Sequence, residues 1–247
     1  MRLNNEAQKA ERPMLKSFIA ALIVCIASVG PATTGEPASA TARDISRGFF
    51  DTVFGLEYGT HIDAHRVKRF ATPVRFHVAD LSGRSRLPAA RAFLNSLPQR
   101  IDNFSSTQVD RVRDANFRVI IVRADDFATV VSRELRADAV AMNARCLVGV
   151  TTDRGRIKSS VAVIIGDDDY LFSRCLVEEV LQGLGPMNDN PTLAESVFND
   201  TSQHTTFTAF DEAILNVLYH PSIHPGMTGS EAHRALPRAL AELGYAH

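Results

Sequence analysis

The sequence predicts an α+β domain in which a mixed β-sheet packs on helices and a C-terminal helical subdomain follows. Segments of helical and of strand periodicity alternate from residue 44 onward. Two strand-like runs then follow each other directly, which indicates an antiparallel hairpin. After residue 171 the periodicity is helical, so the chain is expected to add helices there rather than strands.

The first helix and the first strand are predicted from their periodicities. Asp44 is a candidate N-cap. The apolar residues that follow it at helical spacing are Ile45, Phe49, Val53 and Phe54. From Val74 the letters VRFHVA alternate between apolar and polar, which is typical of a half-buried strand.

The next three elements are a helix, an inner strand and a second helix. Pro88 opens the first of these helices, because proline is favoured in the first helical turn. The residues expected to face the core from it are Ala89, Ala92, Phe93 and Leu97. The run FRVIIVR, residues 117–123, is rich in β-branched residues and predicts an inner strand. Residues 127–135 then predict a helix.

The predicted hairpin pairs CLVGVTT with IKSSVAVIIG across the letters DRGR. Asp153 and Gly155 supply the turn chemistry, since aspartate and glycine favour tight turns. The helix that follows carries an apolar stripe made of Val177, Val180, Leu181 and Leu184. Its other face bears Glu178, Glu179 and Gln182, and we expect that face to be solvated.

Two capping boxes predict the last helices. Thr208 with Asp211 begins one helix, which Pro221 ends. Thr228 with Glu231 begins the other, and Pro237 is expected to kink or split it.

The N-terminus has the pattern of a secretory signal peptide. A basic start precedes the apolar run FIAALIVCIASVG and the small-residue site ASA at residues 38–40. We therefore predict a signal peptide and leader at 1–40 and a single domain at 41–247, with an N-terminal α/β part at 41–170 and helices at 171–247. A periplasmic or secreted location follows, with no transmembrane span in the mature chain. A retained N-terminal membrane anchor and a lipid on Cys25 are the alternatives.

Cleavage at this site leaves two cysteines, Cys146 and Cys175, in a compartment that permits disulfides. We predict a bond between them, which would contribute about 3 kcal/mol. Two buried free thiols are the alternative. The charge balance of 27 Lys+Arg against 28 Asp+Glu provides no basic surface for nucleic acid.

The segment CLVEEVLQGLGPMND, residues 175–189, resembles the active-site helix of metzincin zinc proteases. That helix reads His-Glu-x-x-His-x-x-Gly-x-x-His, and its histidines bind zinc. Glu179 and Gly185 keep the glutamate and glycine positions. The three histidine positions hold Glu178, Gln182 and Asn188 instead.

The resemblance covers about 45 residues in all. The letters SVF at 196–198 stand where metzincins have a turn containing methionine, and Phe198 replaces that methionine. Asp211 then precedes a helix that ends in Leu218 and Tyr219. The order and spacing imply a zincin-like architecture.

A closer resemblance is to a bacterial family known as domain of unknown function 2927, whose members are described as lipoproteins or secreted proteins. It implies an envelope or extracellular location and no established activity. The residues that carry it are Cys175, Glu178, Glu179, Gln182, Leu184, Gly185, Asn188, Asp189, Ser196, Phe198, Asn199, Asp200, Leu218, Tyr219, Pro221, Pro225, Gly226 and Met227.

The altered ligands do not favour zinc, because one carboxylate and two amides replace three imidazoles. Such a set suits a hard, oxygen-binding ion better, and we assign no metal ligands. We expect a binding or structural envelope module for an unknown ligand or peptide. The predicted polar binding network comprises Glu178, Gln182, Asn188, Asp189, Asn199 and Asp200. The alternative is a metal-dependent peptidase or hydrolase that uses Glu179 as general base.

Three further possibilities remain open from the sequence. Glu178 and Glu179 could act as an acid and base pair without metal, although neighbours on a helix point about 100° apart. A metal site could form from His204, His220 and His224. The acidic run DDDY at 167–170 could bind Ca²⁺, although an exposed turn is the simpler interpretation.

Overall fold

The computed structural model describes residues 40–56, 63–138 and 144–245. The predicted signal peptide and Cys25 lie outside the described residues. The α+β prediction is confirmed, because the described part contains a five-stranded mixed sheet and six α-helices. These residues all belong to one compact unit. Across the same ranges, no helix is both long enough and apolar enough to cross a membrane.

The sheet has the strand order β2-β1-β3-β5-β4. Its strands are β1 (Val74–Asp80), β2 (Ser106–Gln108), β3 (Phe117–Val122), β4 (Cys146–Asp153) and β5 (Arg156–Ile165). The strands β2, β1, β3 and β5 are parallel, and β4 is an antiparallel edge strand paired with β5. The predicted hairpin is confirmed. Its turn residues Arg154 and Gly155 have φ of 51° and 76°, as a tight two-residue hairpin turn requires.

The helices cover both faces of this sheet. They are α1 (Ala42–Val53), α2 (Leu87–Arg100), α3 (Ala124–Leu135), α4 (Asp169–Gln182), α5 (Ala209–Tyr219) and α6 (Gly229–Glu242), with a short 3₁₀ turn at Val112–Asp114. On β3, Val119 and Ile121 join the larger core, whereas Ile120 and Val122 join a smaller one under α3. The central strand is therefore buried on both sides, which confirms the inner strand predicted at 117–123.

Several predicted details of the helices are wrong. Thr41 is the N-cap of α1, and Asp44 is the third residue of its capping box. In α2, Ala89 and Ala92 are exposed while Ala90 and Leu94 are buried, because the helix begins at Leu87 and its inward face is rotated by one residue. The helix α6 continues through Pro237 without splitting. Both predicted capping boxes of α5 and α6 are confirmed.

The predicted bond between Cys146 and Cys175 is confirmed. It joins the edge strand β4 to the middle of α4 and spans 29 residues of sequence. Closing a loop of that length in the unfolded chain contributes about 3–4 kcal/mol. The bond thus holds α4 against the sheet beside the two glutamates of the candidate site.

Candidate functional site

Helix α4 is buried on almost every side, and this burial sets the character of the site. Its N-cap Asp168 accepts a hydrogen bond from the Leu171 backbone N–H at 2.7 Å. Glu178, Glu179 and Gln182 are only 5%, 5% and 3% exposed. The expectation of a solvated polar face is therefore wrong. The helix ends at Gln182 with Gly183 as its C-cap, so Leu184 of the predicted apolar stripe lies beyond it.

Two parts of the chain cover the polar side of α4. The Ser160 hydroxyl on β5 donates to the Gly183 carbonyl at 2.7 Å, and the disulfide holds β4 to the helix. From the loop after α4, the carbonyls of Asn199 and Ser202 accept hydrogen bonds from Arg174, at 3.3 and 2.9 Å. These contacts join residues that are far apart in the sequence, so the helical periodicity of α4 could not predict that its polar side is buried.

Arg174 is a buried cation beside the site that the sequence analysis missed. Its Nη2 lies 3.0 Å from Glu178 Oε1, and the two side chains are 10% and 7% exposed. Because Arg174 precedes Glu178 by four residues, the i, i+4 spacing was the signal available in the sequence. The arginine thereby joins Glu178 to the loop that carries Asp200.

Three carboxylates converge at the end of α4, and we call Glu178, Asp189 and Asp200 the acid cluster. One oxygen of each lies within 4.8 Å of the others. Gln182 borders the cluster and donates from Nε2 to Asp189 Oδ1 at 2.8 Å. Glu178 is buried, Asp189 is intermediate and Asp200 is exposed, so the cluster extends from the interior to the surface.

Asn188 contacts a different part of the molecule. Its side-chain amide donates to the Asp51 carbonyl at 2.8 Å, and its backbone N–H donates to the Thr52 carbonyl at 3.0 Å. Both carbonyls belong to the last turn of α1, where no further helical N–H is available to them. Asn188 therefore caps α1, and the following residue, Asp189, is the one that contacts Gln182.

Lys68 also donates to the C-terminal end of α1, and the sequence analysis missed it as well. Its ammonium donates to the Val53 carbonyl at 2.7 Å and to the carbonyls of Ala64 and Arg66 at 3.2 Å. Burial lowers the pKa of Lys68 to about 8, because the charged form loses hydration. This lysine holds the segment that packs behind Gly185.

Asn199 positions the loop of the acid cluster. Its side-chain amide donates to the carbonyls of Leu193 and Pro191 at 3.1 and 3.3 Å. Its side-chain oxygen accepts from the Thr201 backbone N–H at 2.8 Å. These contacts fold the loop on both sides of Asp200, so Asn199 orients the cluster from outside it.

Glu179 lies on the disulfide side of the site. One of its oxygens is within 4.8 Å of both a Glu178 oxygen and the Cys146 sulfur. Adjacent glutamates were expected to point about 100° apart on a solvated face, yet their carboxylates approach each other. The reason is that packing of α4 against β4 and the loop confines both side chains to the same buried region.

The other predicted sites are not assembled. Among the residues that the structure describes, the groups of three possible metal-ligand atoms contain no histidine. His204 contacts the Ala194 carbonyl, and His220 contacts Ser222 and Glu242. In the acidic run, Asp168 caps α4 and Asp169 pairs with Arg86, so these residues have structural contacts.

Asp211 connects the 196–198 turn to α5. Its carboxylate accepts from Ser196 Oγ at 2.6 Å, from Thr208 Oγ1 at 2.7 Å and from the Val197 backbone N–H at 3.2 Å. Burial raises the pKa of Asp211 above its ordinary value of 3.8, and these hydrogen bonds oppose that effect.

The raised pKa predicts how Asp211 changes stability with pH. Because the folded pKa exceeds the unfolded one, the stabilising contribution is complete below pH 3.8 and is lost as the pH rises through the folded value. The free energy of unfolding of the native protein, minus that of Asp211→Asn, should therefore fall as the pH increases. Urea denaturation of both proteins across the acidic to neutral range measures this difference, and a difference that grows with pH would contradict the assignment.

Comparison with known sequences identifies a family but no activity for this chain. A family model described as "Protein of unknown function (DUF2927)" matches residues 42–238. No curated protein matches the chain.

Proposed function

The chain belongs to the DUF2927 family of proteins of unknown function, and from that premise we propose that it is an exported module that binds a ligand and does not act as a zinc peptidase. The binding surface is the acid cluster with Gln182 at its edge. Asn188 and Asn199 act from outside it by holding α1 and the 199–202 loop. The zincin-like frame is part of the same proposal and rests on the order of α4, Gly185, the 196–198 turn and α5.

The observation that carries the proposal is the convergence of three carboxylates at the end of α4. Three carboxylates approach within 4.8 Å, and the Arg174 guanidinium contacts one of them, that of Glu178. Like charges at this separation repel each other, so a cationic ligand would be stabilised there. Since Asp200 is exposed, the ligand reaches the cluster from the surface. The chemical class we favour is a peptide that carries an amine or guanidinium.

The composition of the site argues against zinc in the oxidised protein. The positions that correspond to metzincin histidines hold one carboxylate and two amides, and Asn188 is engaged with α1. Structural and catalytic zinc sites use imidazole nitrogen or thiolate sulfur as their main ligands, with few oxygen ligands. Both sulfurs near the site are joined in the disulfide. The oxygen-rich remainder fits a hard cation or an organic cation better.

Export belongs to the proposal as well. The described residues contain a disulfide, which is compatible with an extracytoplasmic location. We propose cleavage near Ala40 and a mature chain from about residue 41. A lipid on Cys25 or a retained N-terminal anchor would attach the same domain to a membrane. Intact-mass measurement of protein from the envelope fraction distinguishes the three forms.

Binding is tested by calorimetry on the processed, oxidised protein. Tetralysine is the cationic probe, and CaCl₂, MgCl₂ and ZnCl₂ are titrated separately. Asp200→Asn should weaken tetralysine binding about tenfold, which corresponds to about 1.4 kcal/mol for one charge-assisted contact. The matched control is Asp125→Asn, an exposed aspartate on α3 at the opposite face of the sheet. Equal weakening by both variants, or no binding by the native protein, would refute the proposal.

A second candidate function rests on the approach of Glu178 and Glu179. Two carboxylates within 4.8 Å could divide acid and base roles, with Glu179 as the base. Both residues are 5% exposed, so a substrate has little access to them. We therefore expect no cleavage of casein or peptidoglycan-derived peptides, with or without added metal, and Glu179→Gln should behave like the native protein in this assay. Cleavage that this variant slows about 100-fold would establish Glu179 as a working base.

A further inference from the structure

Three potential metal ligands gather at the disulfide, and its second sulfur adjoins them. The Cys146 sulfur lies within 4.8 Å of an oxygen from Glu178 and an oxygen from Glu179. Cys175 is bonded to Cys146, so its sulfur adjoins this group of three and brings the candidate ligands to four. Three of the four residues project from one face of α4, because Cys175 precedes the glutamates by three and four positions. The fourth, Cys146, comes from the edge strand β4.

We propose that reduction of this disulfide opens a site for a thiophilic divalent metal such as zinc, with two thiolates and two carboxylates as its ligands. The inference goes beyond the binding function above, because it concerns the reduced protein and a different set of atoms around Glu179. In the oxidised protein the sulfurs are bonded to each other and do not provide thiolates. The disulfide therefore keeps the site closed.

The reduction is a two-electron step that requires a dithiol reductant. One thiolate of the dithiol attacks a disulfide sulfur, the S–S bond breaks, and the second thiol of the reductant completes the exchange. The reductant becomes a disulfide, and two protons and two electrons remain on Cys146 and Cys175 as thiols. Cys146 is half-buried on an edge strand and Cys175 is 1% exposed, so Cys146 is the accessible sulfur.

Metal binding then replaces the two thiol protons. Thiolate is the form of cysteine that binds a metal, so each cysteine gives up its proton when the metal enters. The charge of a divalent cation stabilises both thiolates. Zinc accepts sulfur and carboxylate oxygen in a tetrahedral arrangement, and the set supplies four ligands. The bound metal would also keep the sulfurs from forming the disulfide again.

The site occupies a rigid part of the fold. The strand β4 pairs with β5 along its whole length, and β5 contacts the end of α4 through Ser160. Glu178 is held by Arg174 at 3.0 Å. These contacts do not depend on the disulfide, so they retain the ligands near each other after reduction. Redox state then controls metal occupancy.

Cobalt is the probe that tests this proposal. The processed protein is reduced with a phosphine, desalted without oxygen and titrated with CoCl₂ under an absorption spectrometer. The reduced protein should show a near-ultraviolet thiolate-to-cobalt band and visible bands of tetrahedral cobalt, saturating at about one metal per chain. ZnCl₂ should abolish these bands. The oxidised protein and the double variant Cys146→Ser/Cys175→Ser should show none.

The carboxylate ligands are tested by substitution. Glu179→Gln should weaken cobalt binding at least about tenfold, as loss of a metal contact does. Asp125→Asn, on the opposite face of the sheet, should bind as the native protein does. Circular dichroism accompanies each titration to record folding. The proposal is overturned if the folded, reduced protein shows no thiolate band, if Glu179→Gln binds equally well, or if the reduced protein unfolds and cobalt does not restore it.

Discussion

Gly185→Ala should lower the free energy of unfolding by about 4 kcal/mol, since the substitution combines a forbidden backbone conformation with overpacking. Gly185 has φ of 142°, a conformation nearly exclusive to glycine. A Cβ at this position would lie 2.2 Å from the Lys68 carbonyl oxygen and 2.8 Å from Leu218 Cδ2. The carbonyl belongs to backbone that is held on both sides, because the Val67 and Arg69 N–H groups donate to the Met227 and Gly155 carbonyls. Urea denaturation of the two proteins measures the loss.

The control for this variant is Gly83→Ala. Gly83 has φ of 72°, but no atom lies within 4 Å of its Cβ position. Only the backbone strain of about 1 kcal/mol applies there. If both variants lost equal stability, the close approach of Gly185 to Lys68 would not be the cause. Because Gly185 returns the chain toward Asp189, the unstable variant should also lose any tetralysine binding.

Arg174→Met is expected to destabilise the protein by about 3–5 kcal/mol, the usual effect of removing one partner of a buried ion pair. The substitution leaves Glu178 beside Asp189 and Asp200 and removes the guanidinium from its Oε1. It also removes the hydrogen bonds to the Ser202 and Asn199 carbonyls. Chemical denaturation at neutral pH measures the change in the free energy of unfolding.

A double variant separates the charge from the lost hydrogen bonds. In Arg174→Met/Glu178→Leu the buried charge is gone, so at least half of the stability should return. The surface pair of Arg238 and Glu242 has the same i, i+4 spacing with side chains 73% and 49% exposed. Arg238→Met should leave stability within experimental error, because solvent screens that pair. A double variant as unstable as Arg174→Met would show that the carbonyl contacts carry the effect.

Local signals in the sequence were sufficient for most elements of the fold. The hairpin turn, the β-branched strand β3 and the capping boxes at Thr208 and Thr228 depend on residues within a few positions of each other. Such signals report local backbone preferences, which the folded protein keeps. The N-cap of α1 and the inward face of α2 were displaced by a few residues because a helix boundary shifts with small changes in capping.

The candidate site was identified from the sequence only in part. Glu178, Glu179, Gln182, Asp189 and Asp200 were named from the letters of one segment and the loop after it. The letters did not indicate that Asn188 would cap α1, since its partner lies 137 residues away. Arg174 was missed because an i, i+4 arginine and glutamate are usually a surface pair.

The sequence by itself determined the class of fold, the pair of cysteines available for a disulfide and the family resemblance. Each of these depends on composition, on spacing along the chain or on a motif. Only the tertiary structure decided that the polar face of α4 is buried and that three carboxylates meet there. The physical reason is that burial results from packing between distant segments. The free energy of burying a charged side chain depends on that packing, and the periodicity of one helix carries no information about it.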